Sequence, residues 1–256
     1  MDPFTQQNLG NIHQETLTPY DIIDLPSDGI FYKNKVSKVK IEYLNALDES
    51  IITSPNIMKG GKFIDVLLER KVKDLNGIDQ LDLLSGDRLA ILLYLRITGF
   101  GPIYSVPITL NDGRTVTGDI DLSTVKPKKM IATPNEKNEF EYILPISKKV
   151  VKFRLLTGRD ERDIMMKDEI YSEMNPNGIS EKSKYRLEHM VMEIDGERDK
   201  LKILNLLYKI PLGDSLSLKN YYNDVEPGLD LNVDVRIPGG ESIKTFLPIG
   251  INFFWI

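Results

Sequence analysis

The sequence contains no cysteine. That excludes disulfides, a cysteine nucleophile and thiolate-bound metal. Histidine is nearly absent too: His13 and His189 are the only two in 256 residues. A histidine-rich zinc site or a Ser-His-Asp triad would have to be built around one of them. No uncharged apolar run approaches the roughly 18–20 residues that cross a bilayer, so no membrane insertion is expected. An excess of basic residues is missing as well. Lys and Arg number 33 against 38 Asp and Glu, for a net charge of −5. The signs are interspersed, without the basic footprint of a nucleic-acid binder, and no nucleic-acid partner is expected. The opening stretch, MDPFTQQNLGNIHQE, has neither a positive n-region nor an apolar h-region. A signal peptide is therefore not expected, and the expected setting is a cytosol or something assembled in one.

What the sequence does hold is an apolar fraction of 41%, enough for a real core. Its densest part is residues 84–101, LSGDRLAILLYLRITGFG. Ser85 suits a helix N-cap and Asp87 the positive end of the helix dipole. Gly99 suits the C-cap. From Leu89 to Ile97 only Arg96 is not apolar, and the run is half the length of a membrane span. A buried helix over 85–98 is expected at the centre of the fold. Arg88 and Arg96 lie two turns apart on it. Their long stems either carry the charge out to the surface or form buried pairs that fix the helix's orientation, the surface course being the commoner one.

Around this helix the periodicities alternate. Residues 36–44 read as a half-buried strand, residues 62–72 as a short amphipathic helix and residues 78–84 as another short helical piece. After residue 101 the period becomes two. Residues 104–109 and 115–121 form a hairpin about Asp112-Gly113, with Pro107 marking the first as an edge strand. Residues 140–144 and 150–155 are a second strand pair. Thr157 and Asp160 form a capping box that opens a helix. Helices are expected over 180–194, 199–210 and 215–222, and residues 231–248 form a C-terminal β-hairpin about Pro238-Gly239-Gly240. The fold class is α+β, with mixed hairpins and helices. Its expected division is a flexible arm over 1–20, an α+β domain over 21–136 and a second over 137–256, or the two as one intertwined unit. The sequence stops at Phe253-Phe254-Trp255-Ile256. Phe253, Phe254, Trp255 and Ile256 either close the protein's own core or are its candidate protein-interface residues.

Little here points to chemistry. The acidic cluster at Asp160, Glu161 and Asp163 would need two carboxylates facing one cleft, whereas adjacent helix residues diverge and acids are ordinary at a helix start. Residues 195–199, DGERD, lack the ligand spacing of a calcium loop. Nucleotide, serine-hydrolase and zinc-protease motifs are absent. His13 reads as a solvated arm residue and His189 as a helix residue. No catalytic residue, cofactor or metal is expected.

Four stretches together resemble the baseplate protein family of T-even-type bacteriophages. They are LPSDGIFY (25–32), LLSGDRLAILLYLRITGFGPIY (83–104), the hairpin closing in DIDLS (119–123) and FRLLTGRDERDI (153–164). With the aromatic ending, the likeness runs from about residue 25 to 256. It departs in one place: relatives often carry a zinc-binding-looking cysteine pair in the hairpin that here is residues 105–121, so no zinc is expected. The resemblance implies a non-enzymatic structural component of the contractile-tail baseplate, at the hub or near it. Other baseplate, hub and tape-measure proteins would be its partners, with several copies in a symmetric assembly. Its place would be the virion tail, assembled in the host cytoplasm. The alternatives are a hub assembly chaperone that leaves before maturation and, from another class, a cell-wall or polymer hydrolase using the acids at 160–163.

Overall fold

The computed structural model describes residues 18–54, 62–110, 112–128, 130–247, 249 and 251–254. Among them are seven α-helices and twelve strands in small antiparallel sheets, an α+β fold. His13, most of the expected arm, the Gly60-Gly61 pair, Trp255 and Ile256 lie outside the described residues.

At the centre is α3 (Ser85–Phe100), preceded in the chain by α1 (Ala46–Ile52) and α2 (Lys62–Lys71). Ile91, Leu92, Leu93 and Leu95 of α3 are buried, while Leu89, Ala90, Tyr94 and Ile97 are half-buried. Both ends of α3 differ from the expected caps. Leu84 is extended and precedes the helix without a side-chain cap. It bridges Thr157, so Ser85 is already the first helical residue, and its N–H donates to Leu156 O at 3.0 Å. A neighbouring backbone thus satisfies a group that a cap would otherwise serve. At the other end Gly101, with φ +83°, stops the helix two residues beyond Gly99.

One three-stranded sheet joins β1 (Tyr20–Asp24), β2 (Lys38–Glu42) and β3 (Val72–Lys73), in that order. Val39 and Ile41 of β2 point inward, as the alternation predicts. β1 is mostly exposed and was not legible as a strand. A four-stranded sheet combines β4 (Ile103–Thr109), β5 (Thr115–Asp121), β11 (Asn232–Arg236) and β12 (Ser242–Phe246), in the order β12-β11-β5-β4. β4 lies at the sheet's edge, where a strand with Pro107 belongs. The short strands β6 (Pro127–Lys128) and β10 (Gly228–Leu229) pair with each other.

The last sheet holds β7 (Glu139–Ile143), β8 (Val150–Arg154) and β9 (Val191–Ile194). Helix α4 (Gly158–Met174) follows β8, opened by the Thr157–Asp160 capping box. α5 (Lys182–Met190) ends earlier than the helix expected over 180–194. Val191–Ile194 turns into β9, because its residues find open edge on β8, with Val151 opposite Ile194. α6 (Lys200–Leu207), capped by Asp199, and α7 (Leu212–Val225) complete the helices. The piece expected over 78–84 is a single 3-10 turn, Gln80–Asp82.

A boundary at 136/137 would cut through this arrangement. β11 of the second half pairs β5 of the first, with Val235 opposite Ile120, and β10 pairs β6. One hydrophobic core takes in residues from Leu25 to Phe254. Periodicity identifies each hairpin, but either of its edges can receive a partner from anywhere in the chain.

Close backbone approach at the head of α3 locks the halves together. A Cβ on Gly86 would lie 1.8 Å from the carbonyl oxygen of Pro227. Alanine raises helix propensity by about 1 kcal/mol over glycine, yet here the steric cost dominates. Gly86→Ala is expected to destabilise the chain by about 3 kcal/mol or more, the upper range for overpacking. Urea unfolding measures it, and a variant as stable as the parent would show that this contact is not tight.

Candidate functional site

The motif residues converge on the N-terminal end of α3. Asp87 is fully buried there. Its carboxylate accepts from the Ser27 N–H (2.9 Å), the Ser27 hydroxyl (2.6 Å) and the Tyr32 hydroxyl (2.5 Å). The Tyr32 oxygen in turn accepts the Leu84 N–H at 2.9 Å. Burial pushes the Asp87 carboxyl above its ordinary value, opposed by the Ser27 and Tyr32 donors. The same burial, with Asp87 close by, raises the Tyr32 phenol and keeps it a donor. The turn at residues 25–32 can present these groups because Asp28 and Gly29 both take positive φ, +50° and +70°.

One residue further along, Arg88 is buried as well and does not run its charge to the surface. It donates to the Gln80 carbonyl at 2.9 Å and to the Gln80 side chain, and pairs with Asp65 at 2.5 Å. Its guanidinium lies against Gly158, where a Cβ would come within 2.5 Å. The starts of α3 and α4 are tied side by side. Gly158 N–H donates to Leu83 O at 3.0 Å, and the Ser85 hydroxyl reaches both Leu156 O and Glu161 at 3.1 Å. Behind them the Tyr222 hydroxyl accepts the Leu156 N–H and donates to Glu226, each at 3.0 Å.

The acids of the sequence cluster are distributed among different partners. Asp160 receives both forks of Arg154 at 2.7 Å and the Thr157 N–H at 2.9 Å. Glu161 receives Arg186 at 2.6 and 2.7 Å. Arg159 reaches back to Asp79 and Asp82. His189 Nδ1 stands 3.4 Å from Asp160, while its Nε2 stands 3.0 Å from the Lys167 ammonium. A lysine only donates, so a hydrogen bond between Lys167 and His189 has Nε2 as its acceptor. Asp160 and Glu161 therefore do not face one another across a cleft. Among the described residues no group of three His, Asp or Glu side chains could hold a metal, and no helix is long and apolar enough to cross a membrane. Residues 195–199 form a tight turn closing β9, with Asp195 bound to Lys149 and the Val150 N–H.

The C-terminal segment is the second place where distant parts meet. Phe253 and Phe254, expected as possible interface residues, are buried in the chain's own core, at 0% and 3% exposure. Phe253 packs edge-on against Tyr104 at 5.3 Å, and Phe254 edge-on against Phe63 at 6.0 Å and Phe100 at 6.3 Å. Arg96 holds them. Buried like Arg88, it donates to the carbonyls of Phe253 (2.7 Å) and Gly101 (3.0 Å), and its guanidinium lies 5.2 Å from the Phe100 ring. The stretch that the sequence left open between core and interface thus belongs, at these two residues, to the core.

Comparison with protein families, curated proteins and solved structures finds no match. The geometry alone defines the class of arrangement: a buried polar joint binding three segments far apart in sequence. Ser27, Tyr32 and Gln80 are members that sequence reasoning missed. Serine before Asp-Gly reads only as a turn, and nothing local says where its hydroxyl goes.

Two measurements probe the site. Phe253→Ala is expected to destabilise the isolated chain by about 3–5 kcal/mol in urea unfolding, the usual cost of emptying a buried aromatic position. An unchanged midpoint would place the side chain at a surface. For Asp160, burial pushes the carboxyl up but Arg154 and the Thr157 N–H outweigh it and bring it down to about 2. A pKa depressed on folding stabilises above the unfolded value near 4 and is lost as pH falls through about 2. Between those pH values the parent is expected to lose about 1–2 kcal/mol more than Asp160→Asn, after allowance for solvent screening. Parallel pH profiles for the two proteins would contradict the ion-pair assignment.

Proposed function

We propose that the chain is a structural component of a contractile phage tail baseplate, a hub or hub-proximal subunit acting through protein–protein interfaces. The observation that carries the reading is the meeting of the motif stretches on which the resemblance rests. Residues 25–32 bind residues 83–88 through Ser27, Tyr32 and Asp87, and residues 83–85 bind residues 156–158 by backbone pairing. Three stretches that look alike in sequence to a family of assembly proteins form one mechanical joint, as expected of parts that must keep a fixed shape under load. The ionisable groups at the joint hold one another, which supports a scaffold over a reaction centre.

The outer surface supports an interaction role. Met166, Ile170 and Met174 are exposed at four-residue intervals along α4. Residues at that spacing share one helix face. Apolar side chains grouped on a surface are a mark of contact sites. On this reading the partners are other baseplate, hub and tape-measure proteins, in a symmetric assembly with several copies of the chain. On the same reading the protein belongs to the virion tail after assembly in the host cytoplasm.

Quantitative mass spectrometry of purified tails and of assembly intermediates, against a baseplate protein of known copy number, tests this. The expected result is a fixed, small stoichiometry in mature tails. Presence in intermediates alone would replace the subunit reading by the assembly-chaperone one. Absence from both would overturn the baseplate reading.

A further inference from the structure

The four-stranded sheet has two outer strands, β4 and β12, and they are finished differently. On the β4 side, the Leu110 N–H donates to Arg114 O and the Leu122 N–H to Pro102 O. With Tyr104 opposite Ile120 and Val106 opposite Gly118, those bonds fix the phase of the ladder. The backbone groups of Ile103, Ser105, Pro107 and Thr109 therefore point away from the sheet. Pro107 stands in the middle of that outward row and has no N–H to offer, so the β4 edge is blunted.

On the β12 side, the Ile237 N–H donates to Glu241 O and the Leu247 N–H to Leu231 O. The bonded pairs between are Val235 with Ile243 and Val233 with Thr245. Ser242, Lys244 and Phe246 consequently turn their N–H and C=O groups outward. Among the described residues no strand pairs with this edge, and no proline interrupts it. The side chains of the same three residues share one exposed face. Phe246, 65% exposed, is among the residues lining a cavity of about 460 Å³, with Leu89, Met165 and Leu247 as apolar surface and both arginines and acids, Arg162 and Glu161 among them, as charged surface.

We propose that the outer edge of β12 receives an extended antiparallel strand from another protein, with a carboxylate opposite Lys244 and an apolar side chain against Phe246. The mode is strand addition, in which backbone bonds give affinity and alternate side chains give specificity. A second copy of this chain fits less well. Two-fold pairing about the middle of β12 would set Lys244 against its own equivalent, a like-charge pair directly across the ladder. An acidic strand instead sets the lysine between the incoming carboxylate and Asp234, which stands opposite Lys244 on β11. The inference stands on the edge geometry and not on the baseplate reading, so either can fail alone.

The test uses the full chain and a fluorescent probe peptide, acetyl-Thr-Thr-Val-Thr-Glu-Thr-Val amide, followed by anisotropy and by amide exchange in NMR spectra. In the free chain the amides of Ser242, Lys244 and Phe246 are expected to exchange rapidly and those of Ile243 and Thr245 slowly. The peptide should slow the first three. Lys244→Pro places at β12 the device that Pro107 supplies at β4 and breaks no bond within the sheet; it should weaken binding at least tenfold. N-methylation of the peptide's Glu nitrogen should do the same with the protein untouched, while N-methylation of a neighbouring Thr should not. Protection of all five amides in the free chain would overturn the proposal, since the edge would already be occupied. Failure of the peptide to bind, or binding indifferent to the Glu methylation, would overturn it equally.

Discussion

The structure depends first on one buried carboxylate. Asp87 sits fully buried at the head of the central helix, and three donors from residues 27 and 32 converge on it. A charge taken out of water is costly unless its acceptor capacity is filled. Filling it forces the 25–32 turn into one position against α3. That position places the Tyr32 oxygen to receive the Leu84 N–H, which belongs to the short extended link before the helix. The link in turn pairs with residues 156–158 and sets the start of α4 beside the start of α3. A side chain, a turn, a backbone bridge and two helices are thus fixed in sequence from a single polar demand.

The two arginines of α3 extend the same logic to its length. Arg88 works near the joint, between Gln80, Asp65 and Gly158. Arg96 works two turns on, where carbonyls rather than carboxylates receive it. A guanidinium offers five donors in a rigid plane and stays charged when buried. It therefore suits a place where several backbone oxygens from separate segments need one common donor. Each arginine defines where a different remote segment lies: α4 at one end of the helix and the C-terminal aromatics at the other.

Much of this was legible in the sequence, and the divide is physical. The central helix, the 104–121 hairpin, the Thr157 capping box and the C-terminal hairpin are local patterns, decided by period and by residues within a turn or two. What escaped was decided at a distance. The surface course expected for Arg88 and Arg96 follows from their own side chains, whereas their burial follows from acceptors on residues 65, 80, 101 and 253. Val191–Ile194 continues a helical pattern on its own terms and becomes a strand only because β8 has a free edge. Ser85 loses the cap role to a backbone carbonyl 71 residues away. The joint itself was visible only as three unexplained strings.

The bond from Arg96 to Phe253 closes a loop of 157 residues. A chain leaves the ribosome from its N-terminal end, and its parts fold as they emerge. Helix α3 can form early, but the slot between Tyr104, Phe63 and Phe100 stays without its filling until residues 253 and 254 have also emerged. While the 157 residues from Arg96 to Phe253 are made, the chain carries a prepared helix with an open apolar socket, and Arg96 has the Gly101 carbonyl but not yet that of Phe253. Completion of the core therefore waits on residues 253 and 254, and a chain terminated before them would be marked as incomplete by the socket it leaves exposed.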